Sequence, residues 1–315
     1  MNVQQYADYV AETIPVCWID GAPWRIDRRI LRPLTPPHLI KPVDPRKIRK
    51  AMRENGALMA SWVDAWDTPE CQWWHIGCSD KDYDIDSVPS KSRRKFIRKG
   101  MRLCEVRRMP LEEFGEKGHV VHMAAASLYG DAYVPIGLEE FRKGVSIAAK
   151  HDAWEVWGAF CEGKLAAYDV CIPVDGAILN SSSKSDPALH KCRPNEAMQF
   201  EMTRQYMRQG ARYISNGVRV LLHDTHVQEF MLSMGYRRIY CPLRAEISWV
   251  LSAALWMGAD RWGKRAGLNR LVPGVKEKLA AVRATKAIAR ECRRIPPAND
   301  APLSPDNTQQ SEAAS

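Results

Sequence analysis

His223, Asp224 and His226 fall within four consecutive positions of this 315-residue sequence, and Asp169 lies upstream of them in a strand-like run. An imidazole titrates near neutral pH and can take a proton from an attacking amine or hydroxyl, with a carboxylate acting beside it. Each group also has a plainer reading: the histidines as surface or capping residues, Asp224 as a carboxylate favoured at a helix start, and Asp169 as an outward-facing strand residue. A second set has the chemistry of anion binding. Lys191, Arg193 and Asn195 surround the start of an amphipathic helix, where unsatisfied N–H groups and the positive dipole end attract phosphate. Ser181, Ser182 and Ser183 approach that start from a strand of small residues, and Tyr213 and Asn216 belong to the strand that follows the helix.

Periodicity and punctuation predict the elements that position these groups. Ser90 caps a basic helix that Gly100 ends, 102–109 alternates as a strand, and 111–129 and 137–150 are helical. The runs 154–161, 165–172 and 177–183, separated by turns at Glu162-Gly163-Lys164 and 173–176, form an antiparallel three-strand meander. Ser185, Asp186 and Pro187 break the last of these strands. Pro194 or Asn195 then opens a helix with Met198, Met202 and Tyr206 on one face, and Gly210 closes it. A short strand at 213–216, a helix at 222–234 stopped by Gly235, and a final strand at 237–247 follow. The first ninety residues predict a helix at 4–12, strands at 16–19 and 58–63, and a helix at 45–54, with prolines between them enforcing extended or turn backbone. Beyond the last strand, 248–262 and 275–292 read as helices, and the tail has almost no large apolar residues and reads as disordered.

Composition narrows the function classes. Nine cysteines, odd in number and without a CxxC, argue against a secreted disulfide framework and for a reduced, cytoplasmic setting. No signal-peptide pattern opens the chain, and the most apolar stretch, 247–258, is too short to span a bilayer; it reads as a buried helix or a peripheral membrane contact. The net charge of +9 is concentrated in two basic segments, 91–108 and 264–294, on an otherwise acidic body. Such segments meet anions, whether phosphate groups, nucleic acid or an anionic membrane surface, or they are solvated helix faces. Cys71, His75 and Cys78 are metal-ligand types in a spacing that matches no standard zinc pattern, so no metal is expected. Six of the eleven tryptophans precede residue 75, as core aromatics or as a stacking surface. The absence of a GxSxG elbow and of a P-loop argues against a serine hydrolase and a nucleoside triphosphatase.

The segments SKSRRKFIRKGMRLCEVRR (90–108), RPNEAMQFEMTRQYMRQGARYISNG (193–217) and QEFMLSMGYRR (228–238) carry a resemblance. Together with the element order across 102–247, they resemble the GCN5-related N-acetyltransferase (GNAT) fold, and in detail its FemAB branch and the neighbouring bacterial GNAT-like acyltransferases. The resemblance covers about half of the chain. It implies an α+β fold, with a mixed, mostly antiparallel sheet flanked by helices. Residues 90–247 would form the acyltransferase domain, 1–89 a partial, degenerate GNAT-like half, 248–294 a helical extension and 295–315 a tail.

The resemblance also implies acyl transfer to an amine or hydroxyl on a small molecule, an amino sugar or a cell-envelope precursor. Acyl-CoA would be the co-substrate, with no covalently bound cofactor. In that scheme Ser181–Ser183, Tyr213 and Asn216 hold the donor arm, Lys191, Arg193 and Asn195 meet its phosphates, and His223, His226, Asp224 or Asp169 supplies the base. One departure stands out: the loop His190-Lys191-Cys192-Arg193-Pro194-Asn195 lacks the glycines that usually let backbone approach a pyrophosphate. The FemAB branch often lacks them too and takes its aminoacyl group from tRNA. The donor is therefore acyl-CoA, an acyl carrier protein or aminoacyl-tRNA, the last making the chain a FemAB-type transferase, and a non-catalytic adaptor that binds nucleic acid or the envelope is the further alternative.

Overall fold

A computed structural model of the chain describes residues 1–128, 134–221, 226–257 and 275–293. In chain order its elements are α1 Val3–Ala11, β1 Val16–Ile19, β2 Ala22–Asp27, β3 Ile30–Pro33, α2 Pro45–Glu54, β4 Met59–Val63, β5 Trp74–Cys78, α3 Lys91–Leu103, β6 Cys104–Met109, α4 Leu111–Ala126 and α5 Leu138–Lys150. They continue with β7 Glu155–Cys161, β8 Lys164–Val174, β9 Ala177–Ser185, α6 Pro194–Arg208, β10 Tyr213–Val218, α7 Val227–Ser233, β11 Arg237–Tyr240, β12 Leu243–Ile247, α8 Trp249–Trp256 and α9 Val275–Cys292. The fold is mixed α+β, built on two mostly antiparallel sheets flanked by helices.

The smaller sheet has the order β1-β2-β3-β4-β12, and the larger has β11-β5-β10-β9-β8-β7-β6. Two strands cross between the parts of the chain that precede and follow residue 90. β5 inserts between β10 and β11 of the larger sheet, and β12 pairs with β4 at the edge of the smaller one. The expected strand at 237–247 is thus two strands in two sheets. Cys241 and Pro242 separate them, and proline cannot donate to a ladder.

Strand alternation sorts the core of the larger sheet. Trp157, Ala159 and Cys161 of β7 and Ala167 and Cys171 of β8 pack toward α3 and α6, together with Ile97, Met198 and Met202. The intervening Val156, Phe160, Tyr168 and Val170 pack toward α4 and α5. This period of two on a sheet covered on both faces is why β7 and β8 read as near-continuous apolar runs. In the smaller sheet Trp24, Leu31 and Trp62 pack on Ile48 and Met52 of α2.

Gly100 does not end its helix, as the sequence predicts, because α3 runs on to Leu103. A Cβ on Gly100 would lie 2.5 Å from the Arg193 carbonyl oxygen and 2.9 Å from the Ala197 Cβ, so the glycine serves the close crossing of α3 over the start of α6. Gly210 follows the end of α6 with φ +86°, in the left-handed conformation expected of a closing glycine. α7 begins at Val227 and not at 222; residues 222–225, with His223 and Asp224, lie outside the described residues, as do the end of the expected helix at 248–262 and the tail from 294 onward. Cys161 and Cys192 form a disulfide, in contrast to the expectation of a fully reduced chain, and the other seven cysteines are free thiols. No described helix is long and apolar enough to cross a membrane.

Candidate functional site

The site is organised by a fork in the larger sheet. β9 and β10 pair in parallel over three positions only, Tyr213 with Ala177, Ile214 with Ile178 and Ser215 with Leu179. Beyond them β9 stays on β8 until Ser185 faces Ala167, while β10 turns to β5 with a bulge between Ser215 and Val218. Residues 180–185 and 216–218 therefore diverge without pairing to each other, leaving backbone N–H and C=O groups able to meet an extended ligand.

A cavity of about 560 Å³ occupies this fork. Ser183, Asn195, Asn216 and His226 line its polar side, and Met198 and Met231 its apolar side. Pro194 at the first helical position starts α6 with no N–H to satisfy, and Asn195 after it lines the cavity. The Asn195 amide donates to Ser185 Oγ at 3.1 Å, and the same oxygen lies 2.9 Å from His190 Nε2, fixing the helix start against the end of β9. His226 is highly exposed at the rim, with Nδ1 3.1 Å from Glu229 Oε2.

Asp169 lies behind the fork and is fully buried, not outward-facing. Ser183 Oγ donates to Asp169 Oδ1 across the β8–β9 pair, so the carboxyl communicates with the cavity wall through one hydroxyl. Burial pushes the Asp169 carboxyl well above the usual carboxylate range, with the nearby Asn180 amide opposing the shift.

A second, strongly cationic depression sits where α3 crosses the start of α6. It measures about 490 Å³ and is lined by Lys95, Phe96, Arg98, Lys99, Arg102 and Arg193. Arg193 takes the left-handed conformation, φ +60°, immediately before Pro194. In the glycine-free loop a non-glycine residue thus adopts backbone angles that cost it roughly 1–2 kcal/mol. Its guanidinium lies 3.9 Å over the Phe96 ring and 3.5 Å from Glu196 Oε1. Arg93 Nη1 holds the same buried Glu196 oxygen at 2.9 Å. The remaining cations of the basin, Lys95, Arg98, Lys99 and Arg102, make no ion pair among the described residues. Four cations beside Arg193 are suited to phosphate.

The structure therefore gathers Ser183, Asn195, Asn216 and His226 at one cavity, ties Asp169 to it through Ser183, and places Arg193 in the adjoining basin. It separates the others. Ser181, Ser182 and the exposed Lys191 line neither space. Tyr213 is buried, with its hydroxyl 2.8 Å from His38 Nδ1 and its ring on Trp66, so its side chain does not reach the fork cavity. The basin cations of α3 were visible in sequence as a charge run, but only the glycine-mediated crossing puts them next to Arg193. His75 was read as a metal-ligand type; it instead sits on β5 with Nδ1 3.4 Å from Ser215 Oγ, and burial pushes its pKa down to about 4. Among the described residues no group of His, Cys, Asp and Glu is arranged to hold a metal ion.

Comparison with known proteins bears on the fold. Residues 91–220 match the model of the acetyltransferase (GNAT) domain. No curated protein sequence matches the chain. Among solved structures, the chain is similar to the C-terminal DUF2156 domain of an Agrobacterium fabrum protein assigned as a lysylphosphatidylglycerol synthetase, with 11% identity over 82% of this chain and 95% of that one and a TM-score of 0.55. It is also similar to FemX, with 9% identity over 75% of this chain and 89% of that one and a TM-score of 0.53. At such identities the likeness is one of fold. Residues 91–220 thus match a GNAT domain model, and the chain as a whole shares its fold with the DUF2156 domain and with FemX.

Proposed function

We propose that the fork between β9 and β10 holds the acyl end of a phosphate-bearing donor while the basin beside Arg193 holds its phosphates. The chain then transfers the acyl group to an amine or hydroxyl of a small molecule, an amino sugar or a cell-envelope precursor. The observation that carries this reading is the adjacency of the two spaces: the start of α6 contributes Asn195 to the fork cavity and Arg193 to the basin.

In this reading the acceptor nitrogen or oxygen attacks the donor carbonyl. The carbonyl oxygen gains negative charge, which unpaired N–H groups of the diverging strands stabilise, and the carrier leaves as the acceptor loses its proton. His226 stands at the cavity rim as the described candidate to accept that proton; Asp169 acts through Ser183 and positions the strand. Acyl-CoA is the first donor. A row of four α3 cations beyond Arg193 favours a second reading, in which the donor is an aminoacyl-tRNA whose phosphates extend along the helix.

Titration of acetyl-CoA and of an aminoacyl-tRNA into the wild-type chain and Arg193→Ala tests both. At least a tenfold loss of affinity for one donor in the variant supports the assignment, and a steep fall with salt identifies the RNA donor. Unchanged affinity for both removes Arg193 from the site.

A further inference from the structure

A third space lies between the two sheets, on residues that the transfer reading does not use. It is a cavity of about 550 Å³, within the range of small-molecule sites. Its walls are largely apolar, including Leu34, Val63, Trp73 and Leu243. Arg25 and Arg32 also line it, and they are directly opposed across the β2–β3 pair.

Like charges placed opposite each other on neighbouring strands repel, so the pair disfavours the sheet unless something answers it. Nothing among the described residues does so. Among the described residues neither guanidinium has a hydrogen-bond or ion-pair partner, and no Asp or Glu lines the cavity. Asp27, the carboxylate that acts on Arg32 from further along β2, forms no ion pair with it and does not line the space. The other polar groups on the walls include the hydroxyl-bearing side chains of Tyr6, Thr35 and Ser61. Arg32 is exposed and Arg25 half-buried, so the pair is open to a ligand.

The cavity also reaches the fork. Leu179, the last β9 residue paired to β10, lines it, as do Val218 and His75, the partners at the far side of the β10 bulge. A ligand seated on the arginine pair therefore lies against strands whose divergence forms the proposed donor site.

We infer that this inter-sheet cavity binds an amphiphilic anion, with a phosphate or carboxylate head on Arg25 and Arg32 and an apolar body along Val63, Trp73 and Leu243. Resting on the transferase reading, this ligand is the acceptor, held by its anionic head so that its amine or hydroxyl faces the fork. Two guanidinium planes can grip such a head bidentately, and the aromatic and aliphatic walls take the body.

The probes are decyl phosphate, decanoate, the uncharged decyl glucoside and inorganic phosphate, each below its micellar concentration, followed by calorimetry and by tryptophan fluorescence. One or both decyl anions should bind at least tenfold more tightly than decyl glucoside and than inorganic phosphate, and the better anion identifies the head group. Arg25→Gln with Arg32→Gln should weaken that binding at least tenfold while leaving the thermal midpoint equal or higher, because the cross-strand repulsion is gone. Equal binding of the glucoside, equal binding of inorganic phosphate, unchanged affinity in the double variant or no binding of either decyl anion overturns the inference. Donor titration of the same double variant separates the two claims. Donor binding that persists without amphiphile binding sinks only the acceptor cavity, and amphiphile binding without any donor binding sinks only the transferase reading.

Discussion

Ser183 on β9 donates its hydroxyl to Asp169 on β8, joining an exposed residue of the fork to a carboxyl with no solvent exposure. The pair anchors the diverging strand at the point where β9 has lost its contact with β10. Removing the acceptor in Asp169→Ala should cost about 1–3 kcal/mol, the penalty for a desolvated hydroxyl and a small cavity. Chemical denaturation measures it. The carboxyl also has a pH signature. Because folding raises its pKa above the unfolded value, its contribution to stability is full below the ordinary carboxylate pKa of about 3.9 and is lost as pH rises through the raised value. Asp169→Asn should remove that part of the pH dependence; an identical profile in the variant would show that Asp169 is not held protonated.

Gly100 carries the crossing that brings the α3 cations to Arg193. Gly100→Val should destabilise the fold by about 1–3 kcal/mol, since backbone and not a flexible side chain blocks the added atoms. It should also weaken donor binding by displacing the basin. A variant as stable as the wild type, with full donor affinity, would contradict the close approach.

His38 and His75 are both pushed down to about 4 by burial, with Arg212 adding to the shift at His38. Each is therefore folded in its neutral form. The stability they represent is complete above an unfolded pKa of about 6.5 and is lost as pH falls from there through about 4. Denaturation at pH 7 and pH 5 should show a decline that is smaller in His38→Gln with His75→Gln. Equal declines in both proteins would place the histidines in contact with water.

Much of the larger sheet was legible in the sequence because its signals are local. The meander announces itself through turns at Gly163 and Gly176, both at positive φ, and α6 through Pro194 and Gly210. What depended on distant pairing was not legible. β2, β3 and β5 are short, and β5 is recognisable as a strand only once β10 and β11 are seen to flank it. The two strands inside 237–247 share one apolar alternation; Pro242 marks a break between them but does not say that they belong to different sheets. The site shows the same division. Asn195, Asn216 and Arg193 follow from strand and helix ends, whereas the burial of Tyr213 behind Trp66, the α3 basin and the opposed Arg25 and Arg32 arise from packing between segments far apart in the chain.

Backbone hydrogen exchange with and without donor tests the central claim most directly, since the fork is defined by facing edges of β9 and β10 that do not pair with each other. Saturating acetyl-CoA or aminoacyl-tRNA should slow exchange at 180–185 and 216–218 and at the start of α6, and leave β6 and β7 unchanged. Exchange that slows elsewhere but not along these two strands, with a donor that binds, would contradict the fork as the donor site.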